Sequence, residues 1–121
     1  MKTALILFAH GARDARWAEP FERLREKLVQ QYAGKVALAY LELMSPSLPE
    51  AVAEAVAEGY RAVTVVPIFL GRGGHIRTDL PKLIVDIQAS HPALQLRCAD
   101  AAGEDDAVLE ALAQFCLRQT Q

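Results

Sequence analysis

TALILFAHGARD, residues 3–14, is apolar from Ala4 to Ala9 and then turns polar at His10. A run without polar alternation is what a strand covered on both faces looks like. AVTVVPIFL, 62–70, has the same character. Two shorter runs, VALAYLE at 36–42 and LQLRCAD at 94–100, bring the expected strands to four.

Amphipathic stretches fill the gaps between these runs. Over 15–32, Trp17, Phe21, Leu24, Leu28 and Tyr32 recur at three- and four-residue steps and predict a helix with one apolar face. A second helix is expected over 48–58, where Ser47 and Glu50 have capping-box spacing and Pro49 suits a first turn. The third spans 78–90, turning Leu80, Leu83, Ile84 and Ile87 inward, and Pro92 closes it. The fourth spans 104–118, with Val108, Leu112, Phe115 and Cys116 inward. The order βαβαβαβα predicts an α/β three-layer sandwich around a four-stranded parallel sheet, flavodoxin-like, with right-handed crossovers. Pro67 conflicts with a central third strand, because proline cannot donate to a ladder. Either that strand is an edge or its pairing breaks at Pro67.

The totals bound the function. The chain has 121 residues, 52% hydrophobic and 23% charged, and reads as one globular domain over 1–121. A net charge of −2 argues against broad nucleic-acid binding. The two cysteines, Cys98 and Cys116, have no zinc spacing and fit a reducing compartment. No apolar run is long enough to span a bilayer, and the expected location is cytoplasmic.

Ligands of open parallel sheets bind beyond the carboxyl ends of the strands, at the point where strand order reverses. That rule collects His10 after the first strand, Glu42 at the end of the second, and Asp100 and Gly103 after the fourth. The glycine-rich loop GRGGH, 71–75, follows the third strand and delivers His75. With strands one and three adjacent, His10 and His75 flank one crevice. Two imidazoles facing a cleft can hold a divalent metal or exchange protons. Glu42 is a further ligand or base, or else a solvated strand end. GRGGH lacks the Walker and GxGxxG spacings of nucleotide loops. Gly73 and Gly74 would let backbone approach a ligand closely. Arg13, Arg16, Arg72 and Arg77 flank the two histidine loops and suggest an anionic small ligand. Asp14 reads as the charge partner of Arg13, Cys98 as a core residue, and His91 has no assigned role.

LILFAHGARD (5–14), LELMSPSLPEAV (41–52) and VTVVPIFLGRGGHIRTDLP (63–81) together resemble the small form of the CbiX chelatases, class II sirohydrochlorin chelatases. The likeness covers nearly the whole chain, in order. It implies insertion of a divalent metal, Co2+ or Fe2+, into sirohydrochlorin, on the route to cobalamin or sirohaem. His10 and His75 fall on the family's active-site histidines, and Glu42 on a helpful acid. The metal is then a substrate, with no permanently bound cofactor. Larger members hold two such domains around one cleft, so a homodimer is implied for this half-sized unit. The histidine-rich loop of nickel-inserting relatives is missing. Arg13, Arg72, Arg77, Gly73 and Gly74 would contact the polycarboxylate tetrapyrrole. Two other readings compete. One is a non-catalytic metal or tetrapyrrole carrier using the same cleft. The other is a histidine phosphatase, which would carry an arginine where this chain has Ala9.

Overall fold

The computed structural model describes residues 2–71 and 73–121; of His75 only the backbone is described. Four parallel strands form one sheet: β1 Thr3–Ala9, β2 Lys35–Tyr40, β3 Ala62–Pro67 and β4 Gln95–Cys98. Their spatial order is β2-β1-β3-β4. The two most apolar runs are therefore the two central strands, as expected of strands buried on both faces. Ala4, Ile6, Leu7, Phe8 and Ala9 of β1 are all buried.

The helices are α1 Glu19–Val29, α2 Leu48–Ala57, α3 Gly74–Ser90 and α4 Asp106–Arg118. On one face of the sheet, α1 and the 3-10 turn Ala15–Ala18 press Trp17, Phe21, Leu24 and Leu28 onto Leu7, Leu38 and Tyr40. On the other, α2 and α3 press Leu48, Val52, Leu80 and Ile87 onto Ile6, Phe8, Val63 and Val65. Tyr32, beyond α1, hydrogen-bonds Thr3 through the two side-chain hydroxyls. The three expected layers are present. Among the described residues, no helix is long and apolar enough to cross a membrane.

Pro67 is accommodated without making β3 an edge. Ile68 N–H donates to the Phe8 carbonyl at 2.8 Å, so the nitrogen of Pro67 faces β4. On that side Ala99 N–H donates to Val65 O at 2.9 Å, and the next rung would need the N–H that proline lacks. The β3–β4 ladder stops there, which is the second of the two alternatives.

Three helices depart from expectation. The 15–32 stretch divides into the 3-10 turn Ala15–Ala18 and α1 Glu19–Val29, which ends before Tyr32. α3 starts at Gly74, four residues before position 78. Glycine's poor helix propensity makes 73–75 read as loop. The turn nevertheless closes, with Arg77 N–H donating to Gly73 O at 3.1 Å, because the sheet buries Ile76 one residue past His75. Gly74 and His75 of GRGGH thus belong to the helix. α4 departs more sharply. Val108, Leu112, Phe115 and Cys116 do not face inward: every residue from Glu104 to Gln121 is exposed, Leu112 at 39% and Phe115 at 53%. The apolar periodicity does make a helix, but the helix lies off its own sheet.

Candidate functional site

β1 and β3 are neighbours, and their connections run to opposite sides, so the sheet's switch point lies between their carboxyl ends. His10 stands at that point, exposed, one residue past β1. Strand alternation carries its side chain to the same face as Phe8. Its ring meets Phe69, two residues past β3, with centroids 4.7 Å apart and planes at 57°. Phe69 is buried and packs edge-on to Phe8 at 5.9 Å, so one aromatic side chain ties both strand ends together under the imidazole.

Backbone geometry fixes the histidine from the other side. Leu41 N–H donates to Ala9 O and Glu42 N–H to His10 O, at 2.9 and 3.0 Å, extending the β1–β2 pairing past both strands. Glu42 therefore does not end β2, which stops at Tyr40; it lies two residues on, exposed, beside the His10 backbone. Gly11 makes this approach possible. Its φ is +94°, and a Cβ there would stand 1.8 Å from Glu42 O. The loop beyond turns through Leu43 at φ 66° and a cis Ser45–Pro46 peptide, then Tyr40 N–H donates to Pro46 O.

The β3 side is closed by α3 and by the 3-10 turn Ala102–Glu104. Gly73 caps α3 in extended backbone, with nothing within 4 Å of the position a Cβ would take. The amino end of α3, with its positive dipole end, therefore opens on the sheet edge where His10 lies. His75 is its second residue, brought to that edge by topology. Arg77 lies in the first turn, exposed. Arg72 lies outside the described residues. Gly103 N–H donates to Phe69 O at 2.8 Å, and a Cβ on Gly103 would come within 1.7 Å of Leu70 O. Asp100 is exposed nearby, before that turn. Cys98 packs against the core, as read from its alternation.

Arg13 is exposed just beyond Gly11. Its expected partner is committed elsewhere. Asp14 accepts from the Arg16 backbone at 2.9 Å and from its guanidinium at 2.8 Å, capping the 3-10 turn. The Arg16 guanidinium holds the Asp14 carboxyl below the usual carboxylate range. Asp14 is thus a cap bound by Arg16, not the charge partner of Arg13.

A cavity of about 280 Å³ opens between α3 and the loop after β2. Phe8, Leu41, Ile76, Leu80 and Leu83 give it apolar walls, and Asp79 and Lys82 lie at its margin. Among the described residues, no group of three or more His, Cys, Asp or Glu is positioned to hold a metal. Phe69 is the residue the sequence reasoning missed. Its signal was an aromatic directly after an apolar strand, which periodicity alone reads as core.

Fold and site together define an open parallel α/β domain with an imidazole at its switch point. The CbiX family model matches residues 4–118, and the chain belongs to that family. A sirohydrochlorin cobaltochelatase of Methanocaldococcus jannaschii is 33% identical over 89 residues, covering 73% of this chain and 62% of that protein. The match thus spans about three fifths of that relative's length. The crystal structure of a CbiX protein from Marinobacter aquaeolei VT8 superposes with TM-score 0.87 and 37% identity, covering 98% of this chain and 97% of the other. A sirohydrochlorin chelatase, SirB, from Bacillus subtilis subspecies spizizenii, solved with cobalt, shares the fold with TM-score 0.80 and 23% identity. That match covers 94% of this chain and 49% of SirB.

Proposed function

We propose that residues 1–121 form one chelatase-like domain that inserts a divalent metal, Co2+ or Fe2+, into sirohydrochlorin, in cobalamin or sirohaem biosynthesis. The observation that carries this reading is His10, exposed at the switch point and set against Phe69 at 4.7 Å, in a chain of the CbiX family. The metal and the ring are both substrates, and no resident cofactor takes part.

Insertion replaces two pyrrole protons with one divalent ion, so the site must bind the ion, accept two protons and release them to water. Imidazole suits borderline divalent metals and also accepts protons near neutrality. His10 and His75 take both tasks, with the Glu42 carboxylate assisting. Ring carboxylates meet Arg13, Arg72 and Arg77, and the backbone of Gly73 and Gly74 at the amino end of α3. A cavity of about 280 Å³ is at the small end for any drug-sized ligand, and a tetrapyrrole overhangs it. A second wall is needed, and a homodimer working in the cytoplasm supplies it.

The test is metal insertion followed by absorbance, with the protein-free rate subtracted. His10→Ala and His75→Ala are expected to lower the rate by about a hundredfold or more, with an unchanged circular dichroism spectrum. Full activity in both variants would remove the mechanism. Stoichiometric binding of ring or metal without turnover would leave the carrier reading instead.

A further inference from the structure

The cavity of about 280 Å³ lies on the His10 side of the sheet. Phe8 is its floor, and strand alternation puts Phe8 and His10 on one face of β1. Phe69 meets both rings, at 5.9 and 4.7 Å, so a single aromatic side chain joins the floor to the imidazole. Two strand residues span about 7 Å, comparable with the distance from the centre of a tetrapyrrole to the substituents on its rim. A ring centred over His10 therefore brings one edge to the mouth of the cavity.

Walls and margin differ in character. Leu41 stands at the mouth on the β2 side, 39% exposed, and Ile76, Leu80 and Leu83 form the α3 side. No wall side chain can donate or accept a hydrogen bond. The margin is charged: Asp79, Lys82 and Asp86, all exposed, form one stripe of α3 at steps of three and four residues. Two carboxylates against one ammonium leave that stripe net negative. Arg13 and Arg77, beyond Gly11 and in the first turn of α3, are exposed cations. A polycarboxylate ring is therefore drawn to the arginines by its acid chains and meets the cavity with an uncharged group.

We propose that this cavity is the specificity pocket of the site, taking a methyl group of the ring, while Asp79 and Asp86 turn away acid chains. The proposal rests on sirohydrochlorin being the ring bound, and says how the site tells it from other rings. Sirohydrochlorin differs from a fully aromatic ring with the same acid chains in its reduced pyrroles. Each of these carries a methyl on a tetrahedral carbon, which holds the methyl to one face of the ring and an acid chain to the other. With the methyl face down, an uncharged group enters the cavity and the acid chain points away from Asp79 and Asp86. A planar aromatic carbon has no group to insert and keeps its acid chain close to the ring plane, beside the two carboxylates. Such discrimination combines an attractive pocket with a repulsive margin.

The experiment titrates the full chain with sirohydrochlorin and with uroporphyrin III, followed by fluorescence, with no metal present. The wild type should bind sirohydrochlorin about tenfold tighter or more, the discrimination that one methyl group in an apolar pocket supports. Leu41→Trp at the exposed mouth and Leu83→Phe on the half-buried wall fill the cavity without entering the buried core. Each should weaken sirohydrochlorin about tenfold, leave uroporphyrin unchanged and keep the circular dichroism spectrum. Asp79→Asn with Asp86→Asn should tighten uroporphyrin alone. Equal affinity of the wild type for both rings, or filled variants that bind sirohydrochlorin as before or lose both rings equally, would each overturn the pocket. Metal insertion is measured separately on the same samples. Selective binding without insertion sinks the chemistry alone, and insertion by a protein that binds both rings equally sinks the pocket alone.

Discussion

At position 11 a Cβ would sit 1.8 Å from the Glu42 carbonyl, on a backbone whose φ of +94° L side chains rarely adopt. Space and torsion both exclude anything larger than glycine. Gly11→Ala is expected to destabilise the domain by about 2 kcal/mol or more, read from urea unfolding, because alanine pays the torsional cost and also parts the β1–β2 extension. His10 shares that extension, so its ring should also lose its fixed approach to Phe69. The place of the histidine was legible in the sequence: the apolar run predicts β1, and His10 falls one residue past its end. What holds it was not legible. Phe69 belongs to a different strand end, and only the adjacency of β1 and β3 makes the two rings neighbours. Asp14 was misread for the same reason: sequence proximity pointed to Arg13, while the turn that Asp14 caps presents Arg16.

Among the elements, α2 is the one whose sequence and structure agree most closely. Ser47 and Glu50 form the reciprocal box, Ser47 N–H donating to Glu50 Oε1 at 2.9 Å and Glu50 N–H to Ser47 Oγ at 3.3 Å. Ser47→Ala should lower stability by about 1 kcal/mol in the same unfolding measurement. The other end of α2 sets a pH dependence. Lys35 Nζ on β2 donates to Glu58 Oε1 at 2.8 Å and holds that carboxyl below its ordinary 4.5. A carboxyl lowered by folding contributes stability above its unfolded value, and loses it as pH falls through the folded one. Glu58→Gln should therefore lose less stability than the wild type when unfolding is compared at neutral pH and below pH 4.5. α3 was legible as a helix but not at its start. Two glycines read as loop, and only the burial of Ile76 against the sheet shows why the turn forms there. Pro67 likewise could be recognised as a conflict but not resolved until the side faced by its nitrogen was known.

For the molecule as a whole, alternation of strands and helices was enough to give the sheet, its parallel sense and the edge where the site lies. Where α4 rests was beyond the sequence. Periodicity reports that a helix has an apolar face, and a helix covering its own sheet and one covering a neighbour's have the same periodicity. What keeps α4 off its own sheet is the connector pinned through Gly103. With α4 held off its own core, its apolar side chains stay exposed, Leu109 at 45%, Leu112 at 39% and Phe115 at 53%. The same connector begins at the site: Gly103 N–H holds Phe69 O at 2.8 Å and Phe69 lies against the imidazole, so a side chain at position 103, crowded by Leu70 O, would be felt at His10 through a single aromatic ring.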